Sequence, residues 1–450
     1  MNIPDMDLTQ ATVRIVAIAI LIVLLTPVAT AAVTYSPAQG VADSDTTVTD
    51  DIAFISTQGA VTDQGAGVYA LNTDTKKIVW SYRECPNKCF DIDPLGNNTV
   101  LFVAKTSDHK PWEIGGNVSY NWHAIHMNWR TGEIIAKFPV PIETHDVDYL
   151  GDGQYIVANK VRADDAEQKW VEEAKSNGWI NQSRSTHSHL VYIYDRKADD
   201  IVWEYRFVDH FPRSAGDGYN ADYTHLNDVD VVDNGSSMVV SPREFDRVML
   251  INRSTKEVEW TLGEEDNYEI LHEQHNPNLL TTDPPTVLVA DSENDRIVEY
   301  RREDGEWVLT WEYSGQLRWP RDADRLPNGN TLIIDSGGDR AIEVTPQKEI
   351  VWSVEIPSSP YDIERLRYGD EPSGPPMHEI LPPEKLGPEY EGDRGLLDRG
   401  FALWYRYYDL SGWVLPPWID QGRFVLLHGA VAVLLGWMRF EWKHARGRII

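Results

Sequence analysis

Residues 224–263 contain four short hydrophobic runs separated by polar turns. The turn Asp233-Asn234-Gly235 separates the first two runs, and the last run is Val258-Glu259-Trp260. Short runs rich in β-branched residues and bounded by Gly, Asn and Asp are typical of antiparallel strands. The stretch therefore predicts one sheet of four antiparallel strands.

The same pattern recurs along the chain. Opening strands with a polar start lie at 90–96, 145–153, 225–230, 275–280 and 321–329, and closing strands lie at 78–80, 135–138, 201–203, 258–260, 309–311 and 350–352. A repeat of roughly 40–60 residues with four strands in each copy is the signature of a β-propeller. The strand ending at Trp80 lacks an opening strand, whereas the opening strand 361–366 lacks a blade of its own. We therefore predict an all-β, six-bladed propeller in which these two ends share a blade and close the ring.

Apolar segments flank the predicted propeller at both ends. Residues 15–33 are long enough to span a bilayer, but Ala29-Thr30-Ala31 also resembles a signal-peptidase site, so an anchor and a cleaved signal are both open. Residues 424–440 are a second candidate span, preceded by an aromatic-rich stretch at 404–418; a buried amphipathic helix is the alternative. The predicted domains are an N-terminal transmembrane anchor or signal (1–33), a linker (34–51), the propeller (52–367), a Pro-, Gly- and Glu-rich linker (368–395), and an aromatic interfacial segment with a C-terminal transmembrane helix (396–450).

The distribution of charged residues indicates the location of the protein and the partners it can bind. Lys443, His444, Arg446 and Arg448 follow the second span and suit the cytoplasmic side, so we predict a cell-membrane protein whose propeller is extracellular. The formal net charge of −30 makes nucleic acid an unfavourable partner. Acidic residues spread over the whole propeller are typical of a halophilic protein, because high salt screens their repulsion; an acidic mesophilic protein is the alternative.

The two cysteines, Cys85 and Cys89, are close in sequence. In an extracellular protein we expect them to form a disulfide, since a redox or metal role needs a reducing compartment or more ligands. N-glycosylation sequons fit the same compartment and predict a glycoprotein; they stand at Asn97, Asn117, Asn181, Asn234 and Asn252.

The starts of the innermost strands carry unusual chemistry for a propeller. His145, His225, His275 and Arg321 open four blades, and Asn227 follows His225. Three imidazoles and a guanidinium converging on one channel mouth would form an anion site with acid/base capacity. Arg243, at the end of a neighbouring strand, could reach the same place. A purely structural role remains the alternative for each histidine, and pairing with Asp322 or Asp324 is the alternative for Arg321.

Other polar residues fit structural roles better. The repeated aspartates Asp146/Asp148, Asp228/Asp230 and Asp322/Asp324 are expected to form hydrogen bonds between blades. We assign His272 to a loop, and His123 and His126 to an outer hairpin. A zinc site built from three histidines is disfavoured because the nearby arginines would repel a cation, so we predict no metal and no cofactor.

The stretch His225-x-Asn227, followed by Ser241-Pro242-Arg243 and then by His275-Asn276 at the next blade, resembles the arylsulfate sulfotransferases. The resemblance covers about residues 52–367. It implies a six-bladed extracytoplasmic propeller that transfers a sulfuryl group from a phenolic sulfate ester to a hydroxyl acceptor through a sulfohistidine, without a nucleotide donor.

The resemblance also implies roles for individual residues. His275 corresponds to the sulfated nucleophile, His225, Asn227 and Arg243 to its sulfate-binding neighbours, and His145 to an acid/base histidine. To these we add Arg321 as a substrate-binding residue. Two other functions stay open: a non-enzymatic extracellular propeller for binding or surface assembly, which predicts dispersed histidines, and a calcium-dependent propeller hydrolase, which needs acidic and Asn side chains in the channel mouth.

Overall fold

A computed structural model of the chain describes residues 8–34, 51–59, 66–85, 88–112, 118–141, 144–162, 187–216, 223–315, 317–356, 359–387 and 421–446, with the single residues 169, 176 and 407. In these parts of the chain, 24 strands form six sheets of four strands each. The prediction of a six-bladed propeller with four-stranded blades is confirmed.

The strands alternate along the chain with short turns. The first twelve are β1 (Ile52–Thr57), β2 (Val68–Asn72), β3 (Lys77–Tyr82), β4 (Cys89–Pro94), β5 (Thr99–Trp112), β6 (Val118–Asn128), β7 (Ile134–Val140), β8 (Asp146–Gly151), β9 (Gln154–Arg162), β10 (His187–Asp195), β11 (Asp200–Arg206) and β12 (Leu226–Val232). The others are β13 (Ser237–Pro242), β14 (Arg247–Asn252), β15 (Val258–Gly263), β16 (His275–Thr282), β17 (Pro285–Asp291), β18 (Arg296–Glu303), β19 (Glu306–Tyr313), β20 (Pro320–Arg325), β21 (Thr331–Asp335), β22 (Arg340–Val344), β23 (Ile350–Glu355) and β24 (Pro360–Arg365).

The two ends of the propeller meet in one blade, as the sequence predicts. Blade 1 has the strand order β24-β1-β2-β3, and Ile363 of β24 pairs with Ile55 of β1. Blades 2 to 6 are β4–β7, β8–β11, β12–β15, β16–β19 and β20–β23. The innermost strands β4, β8, β12, β16, β20 and β24 contact one another in this order, and β24 contacts β4. The ring is therefore closed by the chain itself.

Aspartates at the start of the innermost strands join neighbouring blades. Asp362 Oδ2 accepts the backbone N–H of Ile92 at 2.7 Å, and Asp91 Oδ2 accepts that of Val147 at 3.1 Å. Asp146 accepts the N–H of Val229 in the same way, and Asp322 that of Ile363. These carboxylates satisfy donors that would otherwise be buried without a partner. The predicted role between blades is confirmed for the first aspartate of the pairs in β8 and β20.

The segment after the last strand packs back on the propeller. Met377 is fully buried and its N–H donates to Glu299 Oε1 at 2.9 Å. Glu299 also forms a buried ion pair with Arg325 at 3.0 Å. The region expected to be a linker at 368–395 thus contains a docked part, which ends within the described residues at 387 and includes one short helix (Met377–Ile380).

Two long helices form a separate compact unit. We call them α1 (Leu8–Thr34) and α4 (Gln421–Arg446); α2 (Phe207–His210) and α3 (Met377–Ile380) are single turns. Arg14 near the start of α1 binds Glu441 near the end of α4 through two hydrogen bonds of 2.6 and 2.8 Å, so the helices run antiparallel. Ala11–Val33 and Arg423–His444 are long and apolar enough to be candidate membrane spans.

The sequence also predicts a disulfide, an aromatic interfacial stretch and glycosylated asparagines. Cys85 and Cys89 form the predicted disulfide, with their Cα atoms 6.1 Å apart. The aromatic stretch at 404–418 lies outside the described residues, apart from residue 407. Asn97 and Asn234 are exposed in turns, and glycosylation there stays a prediction.

Candidate functional site

Each innermost strand contributes one residue at the same repeat position. We define the upper ring as Phe90, His145, Asn227, His275, Arg321 and Tyr361. Each stands three residues before a member of a second set, the lower ring: Asp93, Asp148, Asp230, Asn278, Asp324 and Glu364. His225 was expected to be equivalent to His145 and His275. That expectation is wrong, because Asn227 occupies the position and His225 lies two residues earlier.

His275 is held in one orientation and one tautomer. Its Nδ1 lies 3.1 Å from the carbonyl oxygen of Glu273 and 2.8 Å from Ser292 Oγ. A carbonyl oxygen only accepts, so Nδ1 carries the hydrogen. The Ser292 hydroxyl donates in turn to the carbonyl oxygen of Pro320 at 2.7 Å. The lone pair of the ring is therefore on Nε2.

The Nε2 atom of His275 is buried and has no hydrogen-bond partner among the described residues. Burial, followed by the positive charges of Arg321 and Arg243, lowers the pKa of His275 well below the usual 6.5. A group with a lowered pKa stays neutral at neutral pH. His275 thus presents a neutral, oriented nitrogen with a free lone pair, which is the form a nucleophilic histidine needs.

His145 and His225 lie beside each other. Their rings are 4.9 Å apart, and the His145 ring stacks on Phe90 at 4.5 Å. Both histidines lie close enough to His275 to act on its pKa. His225 adopts a positive φ of 43°, and this conformation recurs at Glu273, Trp319 and Ser359, the same position of three other blades, so it belongs to the repeat. The structure therefore brings the three predicted histidines together.

Arg321 is a buried cation without an acidic partner among the described residues. It is 4% exposed, and its guanidinium stands 3.8 Å above the Trp319 ring and 5.3 Å from the Tyr361 ring. It forms no ion pair with Asp322 or Asp324, which was the structural alternative. Burial lowers the pKa of Arg321 to about 10, so the side chain is still positive at neutral pH. A buried cation of this kind is suited to an anionic ligand.

Arg243 is in a different electrostatic situation. It binds the carboxylate of Glu244, and its Nε lies 3.4 Å from Glu273. Because these carboxylates compensate its charge, Arg243 attracts an anion less strongly than Arg321 does.

Asn227 contacts Gln274, the residue before His275. Its Nδ2 donates to the carbonyl oxygen of Gln274 at 2.8 Å, and its buried Oδ1 has no partner in the described part of the chain.

Tyr361 is a member of the site that was predicted from the sequence only as a residue of the closing strand. Its ring lies 6.0 Å from that of His145, 6.5 Å from that of His275 and 4.7 Å from that of Phe90. Burial raises the pKa of Tyr361 well above 10, so its hydroxyl keeps its hydrogen. The hydroxyl is buried and lies close to the Arg321 guanidinium, which can only donate to it, so the hydroxyl hydrogen is not used by Arg321. The spacing of three residues before Glu364 was the signal that could have identified it.

The remaining histidines lie in structural surroundings. Nδ1 of His123 is 3.1 Å from Thr106 Oγ1, and Nδ1 of His126 is 3.0 Å from Tyr155 Oη. His272 stacks on Tyr268 in a loop, with the rings 4.0 Å apart. None of the three belongs to the upper ring.

Access to the site is narrow. His275 is fully buried, and His145 is 5% exposed. His225 is half-buried and the side chain of Arg243 is 15% exposed. His225 and Arg243 are therefore the more exposed members of the site, and His275 and His145 the more deeply buried ones.

The two rings differ in what they could bind. The upper ring combines Arg321 with nearby histidines and Arg243, which suits an anion and repels a cation. Groups of acidic side chains that could hold a metal ion occur elsewhere in the described residues, at Asp93/Asp148/Asp370 and at Asp322/Asp324/Glu364. No histidine belongs to either group.

Comparison with solved structures finds distant similarities. A protein of unknown function from Bacteroides caccae is 13% identical, covers 70% of this chain and 98% of its own, and has a TM-score of 0.46. The periplasmic gluconolactonase of Pseudomonas aeruginosa is 12% identical, covers 70% of this chain and 98% of its own, and has a TM-score of 0.42. Virginiamycin B lyase of Staphylococcus aureus is 12% identical, covers 60% of this chain and 70% of its own, and has a TM-score of 0.35. Similarities this distant carry no information about function.

Comparison with protein families is more specific. No curated protein matches the chain. The family model for arylsulfotransferase (ASST) matches residues 31–312, which include His145, His225, Asn227, Arg243 and His275 but end before Arg321 and Tyr361. Because this match covers more than half of the sequence, the chain belongs to the arylsulfotransferase family.

Proposed function

We propose that the protein transfers a sulfuryl group from an aryl sulfate ester to a hydroxyl acceptor, with His275 as the covalent carrier. The observation that carries this proposal is the state of His275: a neutral imidazole with its hydrogen on Nδ1 and a free, buried Nε2 next to an unpaired arginine. The gathering of His145, His225 and His275 argues against the non-enzymatic alternative, which expects dispersed histidines.

In the first half-reaction, the Nε2 lone pair attacks sulfur. The N–S bond forms while the bond between sulfur and the phenolic oxygen breaks, and the electron pair leaves with that oxygen. Positive charge develops on the imidazole ring, and the Glu273 carbonyl stabilises it through the Nδ1 hydrogen. Arg321 holds the sulfuryl oxygens. His145 gives a proton to the departing phenolate, a contribution of roughly 10²–10⁴-fold.

In the second half-reaction, an acceptor hydroxyl attacks the sulfur carried on Nε2. His145, now without its proton, accepts the proton of that hydroxyl, and the N–S bond breaks to restore neutral His275. The Tyr361 hydroxyl has a hydrogen to donate that Arg321 does not use, so we assign it a hydrogen bond to a sulfuryl oxygen or to the reacting phenolic oxygen. Two transfers through one carrier replace one harder direct transfer.

The activity can be tested with purified full-length protein, 4-nitrophenyl sulfate and a second phenol. We expect 4-nitrophenol to be released at a rate that depends on the acceptor, together with formation of the sulfated acceptor. The assay is performed at molar salt, because the acidic surface predicts that the protein needs screening of its own charges. Release without any acceptor product would identify a hydrolase, and no release across a panel of aryl sulfates would contradict the proposal.

Replacing Arg321 with Met is expected to affect activity and stability in opposite directions. Loss of the guanidinium removes the main sulfuryl contact, so turnover should fall by about 10²–10³-fold. A buried charge without a partner costs free energy, so the ligand-free variant should unfold at a higher temperature than the wild type. Thermal unfolding with and without inorganic sulfate measures both effects.

The wild type should be stabilised by sulfate, whereas Arg321→Met should not. Arg301→Met serves as the control, because Arg301 pairs with Glu303 at 2.8 Å outside the site. An Arg321→Met variant that still gains stability from sulfate would show that Arg321 is not the anion contact.

We further infer that α1 and α4 anchor the propeller to a membrane and that the propeller is extracellular. Antiparallel helices bring the start of α1 and the end of α4 to the same end of the pair, and the basic residues in the last turn of α4, Lys443 and Arg446, suit the cytoplasm. The acidic propeller is then outside the cell, where the disulfide is stable.

Protease treatment of intact cells tests this topology. The propeller should be digested, while a tag placed after Ile450 should be protected until the cells are opened. Equal loss of the tag and the propeller in intact cells would contradict the assigned orientation.

A further inference from the structure

The lower ring gives every innermost strand one oxygen-bearing side chain: Asp93, Asp148, Asp230, Asn278, Asp324 and Glu364. It lies three residues along the strands from the upper ring, or roughly 10 Å at the usual rise of a strand. The repeated aspartates are predicted from the sequence to form hydrogen bonds between blades. That role applies to the first aspartate of a pair, such as Asp146 or Asp322, but it does not account for the lower ring.

Within the described part of the chain, five of the six lower-ring residues have a buried oxygen that lacks the partner buried polar atoms normally have, whereas Asp148 accepts the backbone N–H of Val231. Buried oxygens without a hydrogen-bond partner among the described residues are both carboxylate oxygens of Asp93, Asp230 Oδ2, Asn278 Oδ1, Asp324 Oδ2 and Glu364 Oε2. Asp93 is 1% exposed, Asn278 is 3% exposed and Asp230 is 8% exposed. A buried carboxylate can become neutral by taking up a proton, but the amide oxygen of Asn278 cannot. That oxygen therefore still needs a hydrogen-bond donor or a cation.

Three carboxylates converge close to this ring. One oxygen each from Asp93, Asp148 and Asp370 lies within 4.8 Å of the others. Oxygens that surround one Ca²⁺ at 2.3–2.6 Å are up to about 5 Å apart, so this spacing fits a shared ion. None of the three carboxylates forms an ion pair with Lys or Arg in the described part of the chain. Asp230 is a fourth neighbour, on which Asp370 exerts the strongest charge interaction.

We propose that Asp93, Asp148 and Asp370 bind a divalent cation of the calcium class in the central channel, with Asp230 beside it. All available donors are oxygens, which favours Ca²⁺ over metals that prefer nitrogen or sulfur. Asp148 and Asp370 are half-buried, so water can complete the coordination. The second acidic group, Asp322/Asp324/Glu364, is less suitable because it is buried throughout and Asp322 already accepts the N–H of Ile363.

The ion would have a structural consequence. Asp93 belongs to blade 2 and Asp148 to blade 3, whereas Asp370 follows β24, the strand that closes the ring. A shared cation would tie the closing segment to two other blades. It would also compensate negative charge that Lys and Arg do not compensate here. The histidines and arginines of the upper ring are not ligands, so this site is separate from sulfuryl transfer.

The test uses full-length protein in detergent, treated with EDTA and dialysed. CaCl₂ is titrated by calorimetry, and thermal unfolding is followed with CaCl₂ or MgCl₂ at constant ionic strength. We expect Ca²⁺ to bind and to raise the unfolding temperature. Asp148→Asn and Asp370→Asn should weaken Ca²⁺ binding by about tenfold or more. Asp152→Asn, an exposed turn residue with a side chain 97% exposed, should bind as the wild type does.

Asp93→Asn separates a ligand from a merely structural residue. Without metal, the variant loses one repulsive buried charge and should unfold at the same or a higher temperature than the metal-free wild type, while its stabilisation by Ca²⁺ should disappear. Wild-type protein that binds no Ca²⁺, or Asp148→Asn and Asp370→Asn proteins that bind it unchanged, would overturn the proposal. Tighter binding of Mg²⁺ than of Ca²⁺ would overturn the choice of ion. These measurements do not depend on sulfotransferase activity.

Discussion

Replacing His275 with Asn is expected to abolish sulfuryl transfer, with turnover reduced by about 10³-fold or more, as for the loss of other covalent nucleophiles. An amide nitrogen has no available lone pair and cannot form the covalent intermediate. The Asn side chain can still donate a hydrogen bond towards Ser292 or the Glu273 carbonyl, so the fold should persist. Donor binding should also be nearly intact, because Arg321 and Arg243 are unchanged.

Initial rates with 4-nitrophenyl sulfate and an acceptor measure the loss, and sulfate-dependent thermal stabilisation measures the remaining anion site. His272→Asn is the matched control, since His272 lies three residues away in a loop and stacks on Tyr268 rather than joining the upper ring. If His275→Asn retains full activity, or loses it only because the protein unfolds, the assignment of the nucleophile is not supported.

Ending the chain after Ser359 is expected to destroy cooperative folding. This truncation removes β24, in which all six residues are buried. Burial of Tyr361 and Ile363 alone contributes roughly 1.5–3 kcal/mol each, and every lost ladder hydrogen bond adds about 1 kcal/mol. Their sum is comparable with the total stability of a typical domain, about 5–15 kcal/mol. Strand β1 would also become an exposed edge, and the truncated protein should aggregate.

A chain that ends after Gly392 is the control, because it lacks the C-terminal helix but keeps β24 and the docked segment. Size-exclusion chromatography and thermal unfolding compare the two truncations. The longer chain should be monodisperse and unfold cooperatively. A chain ending at Ser359 that behaves identically would show that β24 does not close the ring.

The fold could be predicted because each blade repeats its own turns and strands. Tyr361-Asp362-Ile363-Glu364 has the same pattern as Phe90-Asp91-Ile92-Asp93, so the closing strand was identifiable before its partner was known. The carboxylates that join blades followed from the same repetition. A regular pattern of this kind is determined locally, by residues that are neighbours in the sequence.

The details of the site were less predictable. Asn227, rather than His225, stands at the position of His145, because Asn227-Asp228-Val229-Asp230 repeats the pattern of His145-Asp146-Val147-Asp148. His225 joins the site from two residues earlier, next to the ring of His145, and that proximity depends on how two blades pack together. The difference between Arg243 and Arg321 depends on the ion pairs of Arg243 with Glu244 and Glu273, which form through the folding of the loops and are not marked by the strand pattern. The burial of His275 depends on several blades at once, so no local pattern could predict it.

Mass spectrometry is the most direct test of whether Nε2 of His275 carries the sulfuryl group. Full-length protein is incubated with 4-nitrophenyl sulfate without an acceptor, digested under conditions that preserve a labile N–S bond, and mapped. We predict a gain of about 80 Da, the mass of one SO₃ group on a nucleophile, on the peptide containing His275, and its disappearance when a phenol is added. The same mass on His145 or His225, or no added mass while transfer proceeds, would contradict the account.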